Sequence, residues 1–503
     1  MANFLKMTKI LPKLISFLCL IFLCFAPFFV IKGLPIYPGD ALDNVATTYH
    51  IWQKKIFSYD GVHKTYEREP LPSYLTAYYV QHFTQIPKST TLQQFYDDKT
   101  IIKDYLRINA WLSVVLILTT FGLCYLLTRS CFWATLGAGL VWVFFIYNRI
   151  YLANLFTELH AATLLLCTSI SAYLIINRPS IIRAIFLGFF LALFSLTKAT
   201  GLYLSLPFLI IIFICLFKSG FSTHPFKNAT LYSLVIAIVF CSLTLPWMVR
   251  NYTNFGEYAI AQRGGIVLLT RAIKNQMTTN EYRGAWYVYA PESLKPLLEN
   301  MYDFDRNDLK KGGQFERLVR RHPSDWRAEI LGRPDLATSY FSKAFATQQS
   351  VKMQLYFDSM NKKVDAADLT DLHLNNIIVD QLKLDKSLKG KALSLIVQNP
   401  IDHLMTTPIF AWRGMWSFNT ALWPVNLICF ASFFFVSVFA ILKKQYQLIA
   451  FCSFGVILFC FYAGATHFIS RYSAPLIPIT IASTIYLLSL VQNKVMPKRL
   501  SPM

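Results

Sequence analysis

Six charged residues of this 503-residue chain stand where apolar sequence begins or ends, and their types suit them to chemistry. Asp40 and Asp43 lie three apart just after the first apolar run, in "YPGDALDNVATTYHIWQ". Glu158 stands at the head of a later run, and Lys198, Arg250 and Arg471 stand at the edges of others. A carboxylate in such a place can accept a proton from an attacking hydroxyl, or it can cap a helix and face solvent. Cations there can stabilise an anion that departs, or simply reach up to lipid headgroups. Which reading holds depends on the elements that carry these residues.

The chain is 55% hydrophobic and 16% aromatic, with a mean hydropathy of +0.41. That excludes the ordinary soluble classes and predicts an all-α polytopic membrane protein. Runs long enough for about 30 Å of hydrocarbon are Leu14–Ile31, Ile108–Leu127, Cys131–Tyr147, Leu155–Ile176, Ile181–Leu196, Leu202–Phe217, Leu231–Trp247, Ala421–Leu442, Leu448–Gly464 and Pro475–Val491. The first follows Lys6, Lys9 and Lys13 and lacks a small-x-small cleavage site, so it reads as an uncleaved anchor.

The formal charge of +21 is unevenly placed. With the N-terminus cytoplasmic, the inner segments hold Lys6, Lys9, Lys13, Arg129, Arg178, Arg183, Lys218, Lys227, Lys443, Lys444, Lys494, Lys498 and Arg499, and no Asp or Glu. The positive-inside rule then places both termini in the cytoplasm, most simply across a bacterial inner membrane. No nucleic-acid partner is needed to explain the charge.

Two long segments fall outside: residues 32–107 and about 150 residues from Arg250 to His403. The implied organisation is a membrane module (1–249), an α-rich extracytoplasmic domain (250–402) and a second membrane module (403–503). All ten cysteines lie in or beside apolar runs, so the external domain has no disulfide framework. In the first loop, Leu42, Val45, Tyr49, Trp52 and Ile56 follow helical 3-4-3-4 spacing, with Asp43, Asn44, Thr47, Gln53, Lys54 and Lys55 elsewhere. This predicts an interfacial helix with Tyr49 and Trp52 at headgroup depth. Pro70 and Pro72 set off a second short aromatic segment. In the domain, helices are predicted over Lys310–Arg321, Pro334–Phe345, His373–Lys383 and Lys386–Val397, with "YRGAWYVYAPES" extended. "DHLMTTPIFAWRGMWSF" reads as interfacial, and no internal repeat appears.

The cations of the outer face sit in "SLTKATGLYLSLP", "LPWMVRNYTNFGEYAIAQRGG" and "HFISRYSAPLIPI". Charge near hydrocarbon is expensive, and three such sites against the positive-inside bias point to something anionic outside.

Here the chain resembles the GT-C superfamily of membrane glycosyltransferases, which includes the protein O-mannosyltransferases and aminoarabinose transferases. The resemblance rests on an acidic first external loop, Thr197-Lys198 before the sixth run, Pro246-Trp247-x-x-Arg250-Asn251 after the seventh, and Arg471-Tyr472-x-x-Pro475-x-x-Pro478 at the tenth. No one motif is specific alone; their order and topology carry it across the membrane region, while the 250–402 domain is unmatched.

The resemblance implies transfer of a sugar from a polyprenyl-phosphate or pyrophosphate donor to an acceptor hydroxyl at the outer face. The acceptor would be a glycan, lipid or protein. By the same resemblance the base is the first-loop Asp: Asp40 matches, with Asp43 a second candidate, although Gly39 is inserted after Pro38 and Asn44 stands where Tyr is common. Asp40 could equally be an N-cap only. Glu158 corresponds to the second-loop acid that assists near the acceptor or a metal, or else it merely suits a helix N-terminus. Arg471, Lys198 and Arg250 would hold the leaving phosphate. Arg68-Glu69-Pro70 departs from the Glu-Lys-Pro of the aminoarabinose branch, which leaves that spot without an assigned role. His50, His63 and His82 show no metal-ligand spacing, so no cofactor is assigned, although a divalent metal stays possible. A flippase of lipid-linked sugars would place polar residues mid-membrane, and the centres of these runs are nearly free of charge. An O-antigen polymerase or ligase would lack the acidic interfacial helix.

Overall fold

The computed structural model describes residues 2–31, 36–37, 39–220, 224–262, 264–359, 380–417 and 422–495. Among these residues there is no strand, and helices carry the fold. Eight are long and apolar enough to cross a membrane: Lys13–Val30, Lys99–Thr128, Glu158–Asn177, Thr200–Lys218, Pro225–Phe255, Trp423–Leu442, Tyr446–Ala465 and Ser470–Asn493. Two shorter apolar helices, Cys131–Ile146 and Ile181–Thr197, account for the remaining predicted runs. The protein is an all-α, multi-pass membrane protein.

The chain divides into two compact units. Unit 1 comprises Met1–Ala261, Pro424–Leu458 and Ala474–Met503; unit 2 comprises Gln262–Trp423 and Phe459–Ser473.

In unit 1 the first helix, α1 (Ala2–Val30), is followed by three short helices of the first loop: α2 (Asp40–Lys54), α3 (Pro70–Phe83) and α4 (Leu92–Asp97). Then come α5 (Lys99–Thr128), α6 (Cys131–Tyr147), α7 (Glu158–Asn177), α8 (Ile181–Thr197), α9 (Thr200–Lys218) and α10 (Pro225–Phe255). The short helices have clear local causes. Pro70 sits in the first turn of α3, where its missing N–H costs nothing. Thr91 and Gln94 form a capping box at α4, and Asp98 accepts from the amides of Thr100 and Ile101 to start α5.

The structure adds what the apolar face of α2 packs against: Trp52 is only 2% exposed and lies with Phe95, Tyr105 and Ile102 in one core cluster. The side expected to be polar is also buried at Asn44 and Thr47. Asn44 Nδ2 donates to the Leu155 carbonyl at 2.6 Å, and the Thr47 hydroxyl pairs with that of Ser73 at 2.7 Å. Those short polar side chains make joints with α3 and the loop before α7, which periodicity alone reads as a wet face.

Unit 2 contains α11 (Gly264–Ala272), α12 (Thr279–Val288), α13 (Lys295–Tyr302), α14 (Asp325–Leu331), α15 (Tyr340–Ser359), α16 (Gln381–Gln398) and α17 (Pro400–Met415). Its core joins Leu269, Tyr287, Phe315, Tyr340 and Leu388. "YRGAWYVYAPES" is largely helical, not extended. The Thr278–Glu281 capping box starts α12 and outweighs the aromatic β-propensity. Lys310–Arg321 is not a helix, since only the 3-10 turn Glu316–Leu318 falls within it. Gly312 takes φ +83° there, and a Cβ on Gly313 would lie 2.5 Å from the Asn307 carbonyl oxygen. The helix expected from Pro334 begins at Tyr340 and runs on to Ser359. The helix expected over His373–Lys383 lies mostly outside the described residues; its last part opens α16.

Candidate active site

The site is built on the first turn of α2. Gly39 precedes it with φ +93° and ψ −130°, a conformation that a residue with a side chain rarely adopts. That is the use of the glycine inserted before Asp40. The cap position therefore belongs to Gly39 and no side chain caps the helix, so the capping reading of Asp40 does not hold. Asp40 and Asp43 are instead the two acids of the first turn, where the helix dipole favours negative charge.

Arg68 joins them. Its Nη2 donates to Asp40 Oδ1 and, at 2.6 Å, to Asp43 Oδ2, while its Nε donates to Asp43 Oδ2 at 3.2 Å. The Arg68 side chain is 11% exposed, against 27% for Asp40 and 37% for Asp43. Burial works against the guanidinium charge, but Asp40 and then Asp43 outweigh it and hold the Arg68 pKa above its ordinary value.

The next residue carries the site onward. Glu69 Oε1 accepts from the backbone N–H of Ala199 at 3.2 Å. Ala199 adjoins Lys198, whose Nζ donates to Glu158 Oε1 at 3.2 Å. The Glu158 side chain is 1% exposed and that of Lys198 13%. Glu158 opens α7 after Thr157, which makes no side-chain cap. The loop in front of α7 is itself pinned. Buried Asn109 Nδ2 donates to the carbonyls of Leu152 and Asn154, and Asn154 Oδ1 accepts from the Tyr37 N–H at 2.7 Å. Unit 1 thus brings Asp40, Asp43, Glu158 and Lys198 into one constellation, linked through Arg68 and Glu69.

Arg250 has a different setting. Its Nη1 donates to the Thr65 carbonyl and to Asn251 Oδ1, both at 2.8 Å, and its guanidinium lies 4.7 Å from the Trp247 ring. Asn251 Nδ2 donates to the Ala259 carbonyl at 2.7 Å, and Trp247 Nε1 to that of Ile260 at 2.8 Å. The Pro-Trp-x-x-Arg-Asn motif therefore ties down the first-loop turn on one side and the chain leaving α10 on the other. Around the same turn, Tyr66 stacks on Phe255 at 4.5 Å and Lys64 donates to Asn254 Oδ1 at 2.9 Å. Arg471 lies in the single turn Ser470–Ser473 of unit 2, with its guanidinium 6.0 Å from the Tyr472 ring.

Sequence reasoning missed Arg68 and Glu69 as the residues that join the others. The signal was the Arg-Glu-Pro triplet itself, opposite charges fixed ahead of a proline-started helix. His63 belongs to a surface turn. Asp60 accepts from it and from the amides of Val62 and His63, which holds the Asp60 carboxyl well below the usual carboxylate range. Burial first, and then Lys54, push the His50 imidazole pKa down. Among the described residues no group of three His, Cys, Asp or Glu is placed to hold a metal ion.

No protein-family model and no curated protein matches the sequence. Among solved structures, the chain is similar to the oligosaccharyltransferase of Archaeoglobus fulgidus, solved with a tethered acceptor peptide containing the NVT sequon. The identity is 12% and the TM-score 0.46, over 96% of this chain and 50% of that one. This chain therefore spans half the length of that protein. It is also similar to ArnT of Cupriavidus metallidurans, solved in the apo state and bound to undecaprenyl phosphate. Identities there are 10% and 11% and both TM-scores are 0.34, over 99% and 98% of this chain and 81% of that one.

Proposed function

We propose that this chain is a membrane glycosyltransferase that moves a sugar from a polyprenyl-phosphate-linked donor to an acceptor hydroxyl on the extracytoplasmic face. The observation that carries this reading is the pair of carboxylates in the first turn of α2. Arg68 holds them, and its neighbour Glu69 is bonded beside the buried Lys198–Glu158 pair.

In the reaction, the acceptor oxygen forms a bond to the anomeric carbon as the bond from that carbon to the phosphate oxygen breaks. The hydroxyl proton passes to Asp40, the base of this reading, with Asp43 as the second candidate. Arg68 fixes both carboxylates in place, so a proton acceptor is held ready without searching rotamers. The bond electrons leave on the phosphate, and Lys198 supplies a cation to it in competition with Glu158. Arg250 and Arg471 are assigned to the phosphate by the sequence resemblance alone; the contacts of Arg250 give it a second task, anchoring the turn that carries Arg68. Glu158 holds Lys198 in the absence of donor. The inner-membrane location with cytoplasmic termini rests on the charge distribution.

The test is sugar transfer from a defined panel of polyprenyl-phosphate sugars in membranes carrying wild type, Asp40→Asn or Asp43→Asn. Transfer by wild type that falls at least 100-fold in Asp40→Asn supports Asp40 as base. Undiminished transfer in that variant with loss in Asp43→Asn transfers the role to Asp43. No transfer by wild type across the panel refutes the enzyme reading.

A further inference from the structure

Unit 2 buries several cations around two aromatic rings. Arg271 on α11 is fully buried, and Lys274, in the 3-10 turn Ile273–Gln276 that follows, is 3% exposed. The Arg271 guanidinium lies 4.3 Å from the Phe410 ring, and Lys274 Nζ lies 5.2 Å from the same ring and 5.5 Å from that of Tyr289. The Arg413 guanidinium on α17 lies 4.6 Å from the Tyr289 ring. Three cations thus flank two neighbouring rings.

Among the described residues, the acids that normally accompany buried cations do not serve these. Among the described residues Arg271 donates to neutral acceptors: Asn275 Oδ1, the carbonyls of His403 and Ala463, and the Thr407 hydroxyl. Arg413 donates to the His467 carbonyl at 3.2 Å. The Lys274 ammonium has neither an ion pair nor a hydrogen bond among the described residues. Glu281, the acid whose charge bears on Tyr289, is committed to Arg317, the Thr278 amide and the Tyr340 hydroxyl. Buried polar atoms here also lack protein partners among the described residues: the Asn275 side-chain amide nitrogen, the Tyr289 hydroxyl and His467 Nδ1. Buried charge is retained where it is paired, and orphaned buried donors call for an unseen partner. The electrostatics agree. Burial, then Arg413 and Arg271, push the Lys274 ammonium well below its ordinary pKa, and burial pushes Arg271 down to about 9.

We propose that this cluster is an oxyanion site of unit 2 that takes a phosphoryl group, held by Arg271, Lys274 and Arg413, with donors from Asn275 and Tyr289. Two guanidinium groups and an ammonium suit a dianion with several equivalent oxygens better than a single carboxylate. A lipid phosphate headgroup and a phosphate carried by a soluble ligand present the same chemistry. The site uses none of the residues assigned to sugar transfer, and it stands whether or not that activity does.

The experiment measures binding of radiolabelled inorganic phosphate to the full-length protein in lipid nanodiscs at fixed chloride, together with the thermal midpoint. Wild type should bind phosphate saturably and melt higher with it. Lys274→Met and Arg413→Met should each bind at least 10-fold more weakly, while Lys274→Arg stays within a few-fold and shows that the fold tolerates change there. Tyr289→Phe should weaken binding several-fold. Competition by undecaprenyl phosphate in the nanodisc would identify a headgroup source, and absence of competition a soluble one; the site holds in both cases. Wild type that does not bind phosphate, or Lys274→Met that binds it as well as wild type does, overturns the proposal. Asp40→Asn should bind phosphate normally, so a failed transfer assay and a failed phosphate site remain distinguishable.

Discussion

Replacing Arg68 with methionine tests the centre of the unit 1 site, because it removes the charge while keeping an unbranched stem. Deleting one partner of a fully buried ion pair costs about 3–5 kcal/mol, whereas exposed pairs are worth about 0–1 kcal/mol. Arg68 is close to the buried limit at 11% side-chain exposure, but its partners are not, at 27% and 37%. The expected loss falls between the limits, about 2–3 kcal/mol. At roughly 2 °C per kcal/mol for a large domain, the thermal midpoint should drop by about 4–6 °C.

Asp43→Asn supplies the second leg of a cycle. With Arg68 present it removes a charged acceptor of two N–H groups, a loss of about 1 kcal/mol at this exposure. In the Arg68→Met background the same change removes repulsion between two acids of one helical turn and should stabilise by about 0.2–0.5 kcal/mol. The two legs therefore differ in sign. Intrinsic tryptophan fluorescence on heating, for the four proteins in one detergent, reads all of it. If Arg68→Met melts with wild type, or if Asp43→Asn costs the same in both backgrounds, the carboxylates are not held as described.

Three further outcomes follow from the same geometry. Lys198→Met leaves Glu158, 1% exposed, without its cation; it should lose about 3–5 kcal/mol, and Glu158→Gln added to it should restore most of the midpoint. Gly39→Ala meets no atom of the described residues within 4 Å, and the positive φ opposes it; a loss of about 1–2 kcal/mol is expected, with sugar transfer falling as Asp40 shifts, and an unchanged midpoint would refute the strained turn. Burial, then Arg271, lower the His403 imidazole pKa to about 4. A folded-state pKa below the ordinary value of about 6.5 gives stability that is present above pH 6.5 and lost between pH 6.5 and 4. The midpoint of wild type should fall through that window, and His403→Asn should fall less steeply.

The apolar runs were legible because a span must be long and nearly uncharged, and that pattern survives any detail of packing. All ten predicted runs fall on helices of the expected order. The same logic was incomplete at α2: the helical stripe is legible, but Asn44 donates to a loop carbonyl and Thr47 pairs with Ser73, so part of the polar side is buried too. Sequence spacing does not reveal such pairings, because Leu155 lies 111 positions from Asn44. At α12 the signal was present and local, a Thr-x-x-Glu box that aromatic content overshadowed. The charged residues stood out in the sequence, but their partners did not. Arg68 is 25 positions from Asp43, and Lys198 is 40 from Glu158.

Those pairings change what the cations can do. In unit 1 two of the cations come with acids, Arg68 with two carboxylates and Lys198 with Glu158, whereas Arg250 donates to neutral acceptors. A phosphate that takes Lys198 must displace or share it with a buried acid, so under the proposed function donor binding is a partner exchange and not the filling of an empty cation site. Such an exchange loses less free energy than desolvating a bare ammonium, since Lys198 is already withdrawn from water and bonded. It also couples the two ends of the site, because Glu158 opens α7 behind the loop that Asn44 of α2 holds. Donor phosphate at Lys198 would act on the loop that abuts the helix bearing Asp40 and Asp43. Among the described residues of unit 2, neutral atoms and aromatic rings stand beside Arg271 and Lys274 in place of carboxylates. By its charge arrangement among the described residues, the cluster that calls for an external anion lies in unit 2, while in the unit 1 constellation Arg68 and Lys198 already face carboxylates.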